Sequence, residues 1–185
     1  MKKTVFFISF LLFIFISCSK ENQKFEFGKN HVGPLRPGIQ PGEVKSLFPN
    51  DSIGKLKEQN GIVTQKTLKI FDKKTGQPLL ALIFQNKDDS LKLHAVEILS
   101  KKYISERGVP AYAPFKDWKS KHKITKADRT LKHIIVYVDD LNATLTFTEE
   151  DLPYTAQHRP LTKVEPDWIK NNSKPANVTV FFDNP

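Results

Sequence analysis

Residues able to do chemistry are few and scattered along this 185-residue chain. Cys18 is the single cysteine, so a thiol is available at one position only, near the amino terminus. The histidines show no spacing typical of metal ligands, and each is better explained as a surface or hydrogen-bonded residue: His31, His94, His122, His133 and His158. Histidine spacing therefore gives no support for a metal centre.

Three runs of carboxylates could bind a hard cation or act as acid–base pairs: Asp88–Asp89, Asp139–Asp140 and Glu149–Asp151. The first two coincide with predicted hairpin turns, where aspartate is common for backbone reasons. The third suits the positive start of a helix. No calcium-loop spacing accompanies them, so we predict neither a metal nor a noncovalent cofactor.

Residues 1–17 have the layout of a secretory signal peptide. Lys2 and Lys3 give a positive start, an apolar stretch runs to residue 16, and Ser17 precedes Cys18. Because a membrane-spanning helix needs about 20 apolar residues, this stretch is too short to be one. Cleavage would leave 168 residues with a formal charge of +7, in place of +9 for the whole chain.

The cysteine directly after Ser17 makes this segment resemble the lipobox of bacterial lipoproteins, with Phe15 where that family usually has leucine. The resemblance implies that Cys18 receives a diacylglyceryl group and becomes the acylated first residue of the mature chain. Two or three acyl chains anchor stably, since each buried methylene contributes about 0.8 kcal/mol. An ordinary signal peptide followed by an inert free cysteine is the alternative. In the family, aspartate after the cysteine is associated with inner-membrane retention, so Ser19 favours the outer membrane.

The basic residues are spread along the chain, and their densest run lies at residues 116–132, where Asp117 and Asp128 interrupt it. No RNA-binding or zinc-finger signature accompanies the run, so we predict no nucleic-acid partner. A solvated basic face is the favoured interpretation, and attraction to anionic lipid is the sharper one. If the run is a contact surface, its residues are Phe115, Trp118, Lys119, Lys121 and Lys123.

The folded part opens with a short predicted helix near residues 41–48. Pro41 suits its first turn, and Val44, Leu47 and Phe48 share one face. With Gly38–Ile39 before it, this entry resembles small secreted α+β modules such as outer-membrane-assembly lipoproteins and β-lactamase-inhibitor-like domains. The resemblance covers about 20 residues and implies a capped helix that docks on a sheet.

Alternating apolar residues predict strands on both sides of a second helix at residues 114–122, and a last strand at 178–182. The fold class is therefore α+β, an antiparallel β-sheet with short helices packed on one face. The helix–strand–strand order occurs twice, which predicts a duplicated unit. The alignment that supports it pairs Trp118-Lys119-Ser120 with Val44-Lys45-Ser46, Leu131-Lys132 with Leu68-Lys69, and Leu145-x-Phe147 with Leu82-x-Phe84.

We divide the chain into a signal peptide at 1–17, a lipid-anchored tether at 18–30, and a single α+β domain at 31–185. Within the domain, the half-repeats are 31–100 and 108–152, and 153–185 is a C-terminal extension. We expect the apolar residues of both helices to be buried on the sheet, whereas an exposed Trp118 would be a contact residue.

Two classes of function remain open. The first is a lipid-anchored envelope protein that is a non-enzymatic binding or assembly module, with another envelope protein, peptidoglycan or anionic lipid as its partner. The second is an envelope hydrolase or small-ligand-binding protein whose site is assembled only in three dimensions. The chain lacks a Gly-x-Ser-x-Gly elbow, a His-Glu-x-x-His motif, a phosphate-binding glycine loop and a dinucleotide fingerprint, which favours the first class.

Overall fold

A computed structural model of the protein describes residues 23–59, 65–157 and 163–182. Ser17 and Cys18 therefore lie outside the described residues. The strands are β1 (Glu26–Gly28), β2 (His31–Val32), β3 (Asp51–Ile53), β4 (Lys57–Gln59), β5 (Gln65–Asp72), β6 (Pro78–Lys87), β7 (Ser90–Ile98), β8 (Ile104–Ser105), β9 (Ile124–Arg129), β10 (His133–Val138), β11 (Ala143–Thr148), β12 (Lys163–Val164) and β13 (Asn177–Phe181). The α-helices are α1 (Val44–Leu47), α2 (Phe115–Lys121) and α3 (Tyr154–Gln157), and single 3-10 turns span Pro41–Glu43, Glu149–Asp151 and Pro166–Trp168.

A ten-stranded antiparallel sheet dominates the fold, in the order β12-β9-β10-β11-β13-β7-β6-β5-β3, with β4 also paired to β5. A small sheet in the order β2-β1-β8 lies apart from it, and its β1–β8 pair is parallel. Together with the short helices, this architecture confirms the predicted α+β class. Among the described residues, no helix is long and apolar enough to cross a membrane.

One face of the large sheet carries the core. Cross-strand partners on this face form a continuous apolar row, each at most 5% exposed: Leu68, Leu82, Val96, Val180, Ala143 and Val138. Both helices pack against it as predicted, with Val44, Phe48, Phe115 and Trp118 buried and Leu47 partly buried. The Phe115 ring meets Phe147 edge-on at 5.2 Å between centroids, which places α2 on the core face.

The opposite face, which we call the open face, has a second row of cross-strand partners running across seven strands: Lys69, Ala81, Glu97, Thr179, Thr144, Tyr137 and Lys126. Successive strand residues point to opposite faces, so this row alternates with the core. Lys69 and Lys126 are exposed, and Glu97, Thr179 and Tyr137 are half-buried. The two smaller residues of the row, Ala81 and Thr144, are buried.

The register around the centre of the sheet is two-fold symmetric. β7 and β13 are neighbours, and their pairs Ile98–Val178 and Val96–Val180 interchange under a rotation through the pair Glu97–Thr179. The order α1-β3-β5-β6-β7 then matches α2-β9-β10-β11-β13. Each half of the large sheet thus has one helix and four strands in the same order. Duplication of the sequence as the origin of the two halves stays a prediction.

Three sequence-based assignments are wrong. Leu131 is 99% exposed in the turn before β10, and Val136 is the residue opposite Leu145, as Leu68 is opposite Leu82. The segment 153–185 is not an extension, because β13 lies in the middle of the sheet. The fold also begins before residue 31: Phe27 in β1 is fully buried, and three residues are too few to show a strand pattern.

Candidate functional site

The two aromatic residues of the predicted contact surface on α2 are not at the surface. Phe115 and Trp118 are both 0% exposed, so the prediction that they contact a partner is wrong. Their helix face packs inward, where the Trp118 ring lies 6.2 Å from Phe27 and 5.3 Å from His122 between centroids. Buried rings cannot supply affinity for a partner, so this segment could contribute only charge.

The lysines of that surface do lie at the protein surface, and two of them have carboxylate partners. Lys119 Nζ is 3.1 Å from Asp167 and also lies over the Phe115 ring, while Lys123 Nζ is 4.0 Å from Asp139. Lys121 is exposed. Exposed pairs of this kind contribute about 0–1 kcal/mol each, so the solvated basic face remains the better description of α2.

All three carboxylate runs lie where the sequence predicted them, and Asp139–Asp140 is in the β10–β11 turn. Asp88 and Asp89 are the two central residues of the β6–β7 turn, and both have positive φ (50° and 58°), as a tight hairpin with right-handed twist requires. Asp151 caps the 3-10 turn at Glu149–Asp151 by accepting from the Thr148 N–H at 2.8 Å. Within the described ranges, no group of three or more His, Cys, Asp or Glu could hold a metal ion.

The most chemically suggestive constellation was missed by the sequence analysis. Ser105 Oγ is 2.9 Å from His122 Nε2, and His122 Nδ1 is 3.1 Å from Asp140 Oδ2. An ionised carboxylate can only accept, so Nδ1 carries the proton of this bond and Nε2 of a neutral ring accepts the Ser105 hydroxyl. This is the hydrogen-bond order of Ser–His–Asp hydrolases.

Three separate elements bring these side chains together. In β8, Ile104 faces outward at 44% exposure, so alternation directs Ser105 inward. His122 is the C-cap directly after α2, and its N–H donates to the Trp118 carbonyl at 2.9 Å. Asp140 belongs to the β10–β11 turn and also lies 3.1 Å from Arg107 Nη2. No sequence signal could have found this set, because its members are far apart in sequence and follow no motif.

The constellation is closed in this conformation. Ser105 Oγ already accepts from the Val109 N–H at 3.1 Å, and the residue is only 2% exposed. His122 is 5% exposed, with its side chain fully buried. A nucleophile needs an exposed oxygen within reach of a substrate. The geometry therefore supports a buried clamp that ties the small sheet to α2 and to the large sheet.

A shallow cavity of about 420 Å³ lies beside this clamp, lined by Phe25, Glu26, Lys102, Ile104, Ser105, Glu106 and Gly108. Of its charged lining residues, Lys102 and Glu106 are exposed and Glu26 is partly exposed. Small-molecule sites are usually enclosed and mostly apolar, with a few convergent polar groups, and this cavity does not have that character.

One end of the open face carries a polar cluster at the pair Lys126–Tyr137. Lys126 Nζ lies 2.6 Å from Asp128 and 4.7 Å from the Tyr137 ring centroid. Burial and the Asp128 carboxylate raise the pKa of Tyr137, and the hydrogen bond with Asp128 raises the pKa of Lys126. Tyr137 therefore stays a neutral phenol and Lys126 a cation at neutral pH, so the cluster presents one aromatic ring beside an ion pair.

Comparisons with known proteins identify the fold only. No family profile and no curated protein sequence matches the chain. The crystal structure of the uncharacterized protein yfeY from Escherichia coli is similar, with a TM-score of 0.55 and 14% sequence identity. The alignment covers 84% of this chain and 99% of that one. The chain thus shares its architecture with a solved protein over nearly the whole length of that protein.

Proposed function

We propose that this chain is a lipid-anchored protein of the bacterial cell envelope and acts as a non-enzymatic binding or assembly module. Cys18 would carry diacylglycerol and an acyl chain, with the outer membrane favoured over the inner membrane. The open face would bind another envelope protein. Peptidoglycan and anionic lipid are the competing partners.

The observation that carries this proposal is the open face itself. Its row of seven cross-strand partners spans about 29 Å at the usual strand spacing of about 4.8 Å. Tyr137, Phe181 and several threonines line it, and tyrosine and phenylalanine are enriched at protein–protein interfaces. Apart from Glu97 at its centre, the charged residues of this row are Lys69 and Lys126 at its two ends. A protein partner could desolvate the uncharged residues between them.

Site-directed photocrosslinking tests the partner. A photoreactive residue placed at Thr179, and separately at Tyr137, is expected to yield one discrete protease-sensitive adduct in intact cells. The same residue at Lys45, exposed on α1, is the control and should yield none. The partner identified from both positions should then bind the purified protein directly, with at least tenfold weaker affinity for Thr179→Lys. An adduct sensitive to a peptidoglycan hydrolase, or equal capture from Lys45, would contradict a protein partner at the open face.

A hydrolase is the second candidate, and the Ser105–His122–Asp140 geometry is the specific observation that favours it. Because Ser105 Oγ is buried and accepts the Val109 N–H, we expect a fluorophosphonate probe to leave the folded protein unlabelled. Ester hydrolysis should likewise stay at background. Labelling that disappears in both Ser105→Ala and His122→Ala, while both variants remain folded, would establish the hydrolase and overturn the binding module.

A further inference from the structure

A cationic cluster lies at the end of the sheet where β5 ends and β3 begins. Asp51 and Asp72 are cross-strand partners there. Lys24 Nζ is 2.8 Å from Asp51, and Lys102 Nζ is 2.7 Å from Asp72. The two ammonium groups also lie 5.2 and 5.5 Å from the Phe25 ring centroid. We call this cluster, together with the neighbouring lysines 73, 74 and 101, the basic pole.

The basic pole contains five lysines and two aspartates, and the lysine side chains are more exposed than the aspartate side chains. The side chains of Asp51 and Asp72 are only 4% and 17% exposed, whereas those of Lys24 and Lys102 are 32% and 51% exposed. Lys73, Lys74 and Lys101 are exposed as well. The carboxylates of Asp51 and Asp72 therefore lie beneath the ammonium groups, and the most exposed charges of the basic pole are its lysines. The neighbouring acids are Glu26 and Glu106, which line the shallow cavity next to Lys102.

The basic pole also includes Lys24, which lies close in sequence to the proposed anchor at Cys18. Lys24 follows Cys18 by six residues, so even a fully extended chain separates their Cα atoms by about 22 Å at most. At the opposite end of β6, Asp88 and Asp89 in the turn are balanced by Lys87 and Lys92, and Lys92 Nζ lies 3.4 Å from Asp88. The excess of lysine over aspartate is therefore at the end next to the proposed anchor.

We infer that the basic pole docks on an anionic phospholipid surface and fixes the orientation of the protein on its membrane. The inference rests on the proposed lipid anchor at Cys18, which would hold the pole close to the head groups. With the pole on the bilayer, the strands point away from the membrane, and the open face looks sideways into the surrounding compartment. That orientation leaves the open face free for a protein partner.

Vesicle binding without the anchor tests the surface by itself. A chain beginning at Ser19 keeps every contact described above, since all of them lie within residues 23–182. At low salt it should co-sediment with vesicles containing phosphatidylglycerol and not with pure phosphatidylcholine. Lys73→Glu, Lys74→Glu and Lys101→Glu together should weaken this binding by on the order of a hundredfold, because each lysine near an anionic surface contributes about fivefold.

The matched control makes the same change of charge on α2: Lys119→Glu, Lys121→Glu and Lys123→Glu. It should reduce binding far less, since Lys123 pairs with Asp139 in the β10–β11 turn, at the opposite end of the strands. Equal losses in the two triple variants would show diffuse attraction to net charge and overturn the inference. The same holds if neither variant loses binding, or if the unchanged chain does not bind.

Orientation is then measured in the lipidated protein. A fluorophore at Thr75→Cys, in the β5–β6 turn, should become shielded from an aqueous quencher several-fold on anionic vesicles, and one at Asn86→Cys, near the far end of β6, should not. High salt should reverse the shielding, because the attraction is electrostatic. Equal shielding at both positions would contradict the docked orientation. If mass spectrometry finds no lipid on Cys18 while vesicle binding is intact, the proposed lipid anchor is contradicted and the docking of the basic pole is still supported.

Discussion

Replacing Cys18 by serine is expected to abolish fatty-acid labelling and to release the protein from the membrane fraction or leave the precursor uncleaved. A single acyl chain binds a bilayer only marginally, and each further buried methylene contributes about 0.8 kcal/mol, so the loss of two or three chains removes essentially all anchoring. Cell fractionation with metabolic labelling by a radioactive or clickable fatty acid measures both effects.

The neighbouring substitution Ser19→Ala is the control, since it changes a small residue beside the cysteine and leaves the thiol in place. It should retain full labelling and membrane association. If Cys18→Ser stays in the membrane and still takes up label, the lipoprotein interpretation fails.

Replacing Trp118 by alanine should destabilise the protein by about 3–5 kcal/mol, the usual cost of truncating a buried aromatic residue. Trp118 is fully buried and lies against Phe27 and His122, so its loss opens a cavity between the small sheet and α2. Against a total stability of about 5–15 kcal/mol, such a loss should lower the thermal midpoint sharply. Denaturant unfolding followed by circular dichroism gives the free energy directly.

Two variants separate loss of packing from other effects. Trp118→Phe keeps most of the apolar volume and removes an indole N–H that has no hydrogen-bond partner in the part of the chain described, so its cost should be much smaller than that of alanine. Lys116→Ala, exposed on the same helix, should change stability by less than about 0.5 kcal/mol. Equal effects of Trp118→Ala and Lys116→Ala would mean that Trp118 does not hold α2 on the sheet.

Local sequence patterns were sufficient for the elements with strong periodicity. Val44, Leu47 and Phe48 predicted α1 and its buried face, and the apolar residues of β6 and β11 predicted the returning strands of two hairpins. Weakly patterned segments were missed. Only Ala127 of β9 is buried, so its mostly polar sequence shows no strand pattern. The apolar run that follows begins at Leu131, and for that reason the sequence places the start of β10 two residues too early.

Long-range pairing explains the remaining differences. The alternating residues of β13 indicated a strand, yet its place between β7 and β11 depends on both halves of the sheet being present. Likewise, β1 is held by a parallel partner, β8, more than seventy residues away in sequence. Patterns within one segment contain no information about which distant segment will supply its hydrogen-bond partners.

By itself, the sequence determined two local properties that the structure bears out: the α+β class and the burial of Trp118 on one helix face. The signal peptide that ends before Cys18 stays a prediction from the same local patterns. Tertiary structure alone decided the rest. It joined Ser105, His122 and Asp140 into a closed clamp, lined up the open face across seven strands, and gathered five lysines around two less exposed carboxylates. Alternation and helical period act over a few residues, whereas these surfaces depend on sheet register and on which side chains fold beneath others.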